Sequence, residues 1–269
     1  MNSDALIPPA DETPLLKSST ALLGWPRIQS ALAHNASSPL TGEQCLRLAP
    51  ETDLAAAHER LEETAEMVSW LESGETVPLE TFADLRPTLK SAREKQILEP
   101  GDALQVIRLL RLCRALSRAT DKMPGRPGLR AIGLRLDPLP ELLKELTTCI
   151  SDEGEIRGNA TPQLRQALRE TQAAKQALET QVARLMARPA VRDALQDNYF
   201  TEREERIVLP IRADHKSQIQ GIVHDSSGSG QTLFMEPAEI IPHNNQLKIS
   251  TLQVEREKAR ILQMLAGRI

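Results

Sequence analysis

Residues 224–230 of this 269-residue chain, His224-Asp-Ser-Ser-Gly-Ser-Gly230, concentrate the residue types of two kinds of catalysis. His224, Asp225 and Ser226 are the types of a hydrolytic relay, but neighbours on an extended segment point to alternate faces and cannot form one unaided. Backbone amides of the glycine-rich run could cradle an anion. A nucleotide phosphate loop, however, places Lys and Ser/Thr directly after its last glycine and then a helix, whereas Gln231-Thr232-Leu233-Phe234 opens a strand pattern. The composition predicts a hairpin loop with Asp225 as a turn-stabilising residue. His34, His58, His215 and His243 lack HxxxH or HxH spacing, and Asp152-Glu153-Gly154-Glu155 lacks the ligand spacing of a calcium loop. No catalytic residue and no metal site is expected.

More suggestive is the basic set on the same stretch: Arg192, Arg203, Arg206, Arg212, Lys216 and Lys248. Basic side chains on a protruding tip can reach phosphate oxygens. Asp193, Asp197, Glu202, Glu204, Glu205 and Asp214 intervene, so the local balance is near neutral. Arg203, Arg206, Arg212 and Lys216 are the candidate contacts.

Two long helical runs must carry this stretch. Thr161 caps and Pro162 opens a run to about Ala187 without Gly or Pro, roughly 40 Å long at 1.5 Å per residue. Its seam reads Leu164, Leu168, Thr171, Lys175, Leu178, Val182, Leu185, in heptad spacing. A second run, from about Asn245 onward, repeats the spacing with Leu247, Thr251, Val254, Lys258, Ile261 and Leu265. An antiparallel pair would bury both stripes and hold residues 188–244 at its far end. That stretch alone is strand-rich: Arg206–Arg212, with Pro210 confining it to an edge or bulge, then Gln218–His224 and Gln231–Met235. The final run reaches Ile269 without a stop signal, as expected of a chain cut from a longer protein.

Towards the N-terminus, residues 1–14 read as a disordered tail and 15–150 as a helical core. Helical patterns cover Leu15–Leu23, Ile28–Ala33, Leu40–Leu48, a run capped by Asp53 to about Glu72, Phe82–Leu89, Gly101–Thr120 and about 139–150. Pro124, Gly125, Pro127, Gly128, Gly133 and Pro138 predict a loop over 121–138. Charge is segregated. Residues 51–80 hold nine acids against Arg60, whereas 103–136 hold eight bases against Asp121. Arg108, Arg111, Arg114 and Arg118 fall on one arc of a helix, free to lie along phosphates, to face solvent or to pair with the Glu-rich run.

Composition sets the outer limits. Aromatic residues are 2% of the chain, too few for a β-sandwich or a base-stacking sheet. A net charge of −4 gives no global attraction for polyanions, so binding must come from patches. Cys45, Cys113 and Cys149 are widely spaced, as suits thiols in a reducing compartment. Without a signal-peptide pattern or an apolar run of membrane-spanning length, a cytoplasmic protein with no membrane partner is expected.

Arg206-Ile-Val-Leu-Pro-Ile211, Gly221-Ile-Val-His-Asp-Ser-Ser-Gly-Ser-Gly-Gln-Thr-Leu-Phe-Met-Glu-Pro237 and Asn244-Asn-Gln-Leu247 closely resemble the second bacterial type of MutS protein, the Smr-bearing paralogue. Ser38-Pro-Leu-Thr-Gly42, Leu61-Glu-Glu-Thr64, Asp84-Leu-Arg-Pro-Thr-Leu89, Asp152-Glu-Gly-Glu-Ile-Arg157 and Pro162-Gln-Leu-Arg165 resemble its N-terminal blocks in the same order, so the resemblance runs from about Leu22 to Ile269. It adds His224, Asp225, Ser227, Gly230, Glu236, Pro237, Asn244 and Asn245 as motif residues of unassigned role. The chain departs from the family at Arg203-Glu-Glu-Arg206, where an Asn-Gly and a Tyr usually precede the strand.

The resemblance implies a mainly α architecture: a helical core (15–150), an outgoing lever helix (151–187), a β-containing clamp at the lever tip (188–244) and a returning helix (245–269). In that family an ATPase and an Smr nuclease domain follow. No Gly-x-x-x-x-Gly-Lys-Ser/Thr occurs in these residues, so ATP and Mg are expected only in the ATPase domain, and this fragment is expected to be no enzyme. The implied partners are branched or duplex DNA and the ribosome, in recombination suppression or rescue of collided ribosomes, with paired clamps of a homodimer around the target. The alternative is a structural or protein-interaction helical module without nucleic-acid contact.

Overall fold

The computed structural model describes residues 19–123 and 125–269; the tail expected over 1–14 lies outside them. The described chain is mainly α with one small antiparallel sheet, and it divides into two compact units, residues 19–155 with Leu265–Ile269, and Ile156–Met264.

Helices of the first unit include Trp25–His34, Pro39–Leu46, Leu54–Glu72, Arg86–Arg93, Pro100–Asp121, Pro127–Leu134 and Pro140–Cys149. All of these but Leu54–Glu72 carry Pro in their first two positions, where a missing N–H costs no hydrogen bond. The prolines therefore open helices more often than they interrupt them, and several sequence-based boundaries shift. Trp25-Pro26, expected as a break, starts a helix after Gly24, whose φ of 71° suits glycine. Phe82–Leu89 gives way to Arg86–Arg93, and residues 81–85 before it have no regular secondary structure.

The loop expected over 121–138 contains the helix Pro127–Leu134. Its first N–H groups are satisfied from far along the chain: Gly128 and Leu129 donate to the two carboxylate oxygens of Glu66 at 3.1 and 2.8 Å. A carboxylate at that end also complements the helix dipole. The helix lies so close to Pro100–Asp121 that a Cβ on Gly133 would fall 1.8 Å from Thr120 Oγ1. Asp53 caps Leu54–Glu72 as expected, accepting from Ala56 N at 2.8 Å. Cys45, Cys113 and Cys149 are free thiols, and burial pushes the last two above the usual range.

In the second unit, Thr161 caps the long helix Pro162–Met186, its Oγ1 accepting from Leu164 N at 3.1 Å. The returning helix runs Ile241–Ala266, starting before the expected Asn245 because Pro242 is tolerated in a first turn. The two are antiparallel. Pro162–Glu170 of the first line a notch with Gln253 and Glu257 of the second, while Leu178, Val182 and Leu185 cluster with Leu247. The heptad seam holds at Leu164, Leu178, Val182 and Leu185, and at Val254 and Ile261; Leu265 is also buried but belongs to the first unit. In the middle it shifts: Leu168, Lys175 and Thr251 are exposed, and Ala167 and Ser250 are buried instead.

A short helix, Pro189–Ala194, leads into the sheet, whose strands β1 (Thr201–Arg203), β2 (Arg206–Arg212), β3 (Gly221–Ser226) and β4 (Thr232–Pro237) are ordered β1-β2-β4-β3. Residues Ala213–Gln218 form a 3-10 turn, so the strand expected from Gln218 starts at Gly221. Pro210 sits inside the strand order but beyond the end of β1, which pairs only with Arg206, Ile207 and Val208; Gln196 N covers the Pro210 carbonyl there at 2.8 Å. Leu209, Ile211 and Met235 pack on Leu178, Val182, Leu185 and Ile240, which fixes the sheet to one end of the helical pair.

Candidate functional site

Glu236 is the centre of the sheet-bearing unit. It is 0% exposed on β4, and a carboxylate so buried must be paired and hydrogen-bonded. Arg206 Nη1 on β2 donates to its Oε1 at 2.6 Å, Asn244 Nδ2 to the same oxygen at 2.8 Å, and His224 Nε2 on β3 to Oε2 at 2.8 Å. Arg206 Nη2 also donates to Asn245 Oδ1 at 2.6 Å. Burial alone would raise the Glu236 pKa; the bonds from Asn244, His224 and Arg206 outweigh it and hold the carboxyl below the ordinary range. An ionised carboxylate only accepts, so the His224–Glu236 bond places a proton on His224 Nε2.

Asn244 completes the ladder that β4 cannot. The β2–β4 register pairs Leu209 with Met235, and continuing it would set Ile207 opposite Pro237, which has no N–H. The Asn244 carboxamide takes both Ile207 groups instead, donating to the carbonyl and accepting from the amide, each at 3.0 Å. Arg206, His224, Glu236, Asn244 and Asn245, drawn from three strands and a helix start, thus converge on one polar network around a buried carboxylate, and Pro237 leaves the gap that Asn244 fills.

The remaining motif residues build the β3–β4 loop. Asp225 Oδ1 accepts from Ser226 N at 2.8 Å, Ser227 Oγ from Thr232 N at 3.1 Å, and Gly230 takes a φ of 72°. β4 follows directly, so the run is a hairpin and its first three residues form no relay. Among the described residues no cluster of His, Cys, Asp or Glu is arranged to hold a metal ion.

The four candidate basic contacts differ in freedom. Arg206 is committed to the network, 23% of its side chain exposed. Arg212 Nη2 donates to Asp193 O and to His215 Nε2, both at 2.8 Å, leaving His215 Nδ1 to donate to Asp214. Arg203 lies 4.3 Å from the Phe234 ring centroid and 3.2 Å from Asp225 Oδ2, yet remains partly exposed. Lys216 is exposed and, among the described residues, makes no ion pair. Sequence reasoning did not single out Tyr199 and Phe200 as a surface. They are 48% and 43% exposed and line a groove with Arg192, Met186 and Asn198.

Between Arg203 and Arg206, Glu204 and Glu205 take φ of 50° and 61°, the two left-handed positions of a type I′ hairpin. This conformation favours Asn-Gly and costs an L-residue about 1–2 kcal/mol. Glu204→Asn with Glu205→Gly should therefore raise the melting temperature by roughly 2–4 °C per kcal/mol recovered, since the exposed Glu205–Lys248 pair and the 3.7 Å Glu204–His224 approach it removes contribute little. Thermal unfolding followed by circular dichroism measures this, and an unchanged or lower midpoint would show that the turn is not strained.

No family model matches the chain. Among curated proteins it is 33% identical over 249 residues to "Endonuclease MutS2" of Symbiobacterium thermophilum, 34% over 253 residues to that of an Anaeromyxobacter species, and 29% over 247 residues to that of Bacillus velezensis. The first two matches cover 91% of this chain and the third 90%, against 31%, 31% and 32% of the relatives, so the chain spans about a third of their length. Over about nine tenths of its length, and in one relative after another, the chain matches roughly a third of the length of proteins of the MutS2 family.

Proposed function

We propose that this chain is the lever and clamp region of a MutS-like homodimeric ATPase: it transmits movement from an ATPase domain and grips nucleic acid, either DNA or the RNA of a ribosome. The carrying observation is mechanical. A sheet locked by a buried carboxylate sits at one end of two long antiparallel helices, with Arg203 and Lys216 left at the solvent. A stiff paired-helix arm turns a small rotation at its base into a large displacement at its tip. The relatives are named endonucleases, which supports a nucleic-acid target, and recombination suppression or rescue of collided ribosomes are the roles this reading fits. On this reading ATP and Mg²⁺ would be held outside these residues, and the chain's own part would be transmission and grip.

Titrating the chain with branched DNA, duplex DNA and ribosomes across a salt series tests this. A phosphate grip loses affinity steeply as salt rises, and Arg203→Gln with Lys216→Gln should weaken it several-fold. Salt-insensitive association, or binding indifferent to both substitutions, would favour a protein-docking helical module instead.

A further inference from the structure

The helix Pro100–Asp121 belongs to the other unit, and its solvent face has one composition. Between Gly101 and Asp121 the exposed positions are Arg108, Arg111, Arg114 and Arg118, and no others. Arg111 Nη1 contacts Asp152 at 2.8 Å; among the described residues Arg108, Arg114 and Arg118 have no ion-pair partner within 4.0 Å. The acid-rich helix Leu54–Glu72 does not neutralise them. Its Glu66 is spent on the start of Pro127–Leu134, and Glu75 beyond it lies 3.6 Å from Arg126. At the C-terminal end the basic surface continues through Arg130, which lines a small cavity with Arg118 and lies 3.8 Å from Asp121.

Such a face is costly for the isolated fold. Arg108/Arg111, Arg111/Arg114 and Arg114/Arg118 are like charges three or four residues apart on one helix face, and each such pair weakens the helix. It also lacks the exposed apolar centre of a protein interface. Its length matches a different partner. Ten residues of helix rise about 15 Å, the axial distance over which one strand of a duplex presents about four phosphates.

We infer that Arg108, Arg111, Arg114 and Arg118 form a second nucleic-acid surface, an arginine rail that lies along the phosphodiester backbone of a duplex. It reads charge and spacing, not sequence, because side chains confined to phosphates carry no base information. The inference is independent of the clamp, since it concerns other residues in the other unit.

The test is fluorescence anisotropy of the full 269-residue chain with short duplex DNA and short duplex RNA over a salt series. Arg108→Gln/Arg114→Gln/Arg118→Gln, which leaves the Arg111–Asp152 pair intact, should weaken binding roughly 10-fold or more and flatten the slope of log K against log salt by about 3. Its melting temperature should not fall, because like-charge repulsion is relieved. The same three positions changed to Lys should keep most of the slope. A matched control, Arg27→Gln/Arg47→Gln/Arg93→Gln, removes equal charge from exposed positions of the same unit and should change affinity far less. Equal losses in the two Gln triples, an unaltered slope, or no duplex binding by the unmodified chain would overturn the rail.

Discussion

Arg206→Met should destabilise the sheet-bearing unit by about 3 kcal/mol, the lower end of what breaking a buried ion pair costs. Methionine keeps much of the packing volume but leaves the fully buried Glu236 carboxylate with only Asn244 and His224, and leaves Asn245 Oδ1 without its donor. The lower end applies because Arg206 is partly solvated, 23% of its side chain being exposed. Urea unfolding measures the loss, and a change below about 1 kcal/mol, the worth of a surface pair, would show that the network is not coupled to folding. Arg206→Met with Glu236→Leu should be less harmful than the sum of the single changes, because the second removes the charge that the first orphans.

The same variant should become acid-sensitive. Glu236 titrates below its ordinary value of 4.5 in the folded chain, so its ionised form adds stability above that value and loses it as pH falls through the folded pKa. Without Arg206 a lowering influence disappears and burial gains weight, so the folded pKa moves up. Acid unfolding should then begin at higher pH than in the unmodified chain. Coincident acid transitions in the two proteins would mean that Arg206 does not stabilise the carboxylate.

Gly221→Ala is expected to be about as damaging, roughly 3 kcal/mol as for severe overpacking. The added Cβ would meet the Glu236 carbonyl oxygen at 2.3 Å and the Pro237 Cα at 2.9 Å. Both are backbone atoms, so no rotamer change relieves the overlap; β3 must move away from β4, which carries the buried carboxylate. Gly228→Ala supplies the contrast in the same hairpin. Its Cβ would meet nothing within 4 Å, and a more restricted unfolded chain should leave it neutral or up to about 1 kcal/mol more stable. Equal midpoints for the two variants in urea would contradict the close approach of β3 and β4.

Helix existence was legible wherever apolar periodicity ran long: Leu54–Glu72, Pro100–Asp121 and Pro162–Met186 follow the pattern, and Asp53 and Thr161 cap where their types and positions say they should. The hairpin around residues 225–230 was legible from turn chemistry alone. Pro127–Leu134 was not, because the group that caps it, Glu66, lies some sixty residues earlier and leaves no local trace. Nor could heptad counting choose between Leu168 and Ala167; the assembled unit buries Ala167 and leaves Leu168 exposed.

The site divides along the same line. Sequence alone determined the inventory: an apolar strand, a glycine-rich turn, a helical carrier and a set of bases among acids. It also determined the arginine arc, because spacing on a helix fixes which side chains share a face. Only the tertiary structure decided which polar residues are structural. Arg206 reads as a surface base until the fold sets it 2.6 Å from a carboxylate excluded from water, and Asn244 is a motif residue without an assigned role until Pro237 leaves the Ile207 amide and carbonyl without a strand partner. Desolvation is a property of the assembled unit, and it converts residues of one chemical type into either a grip or a lock.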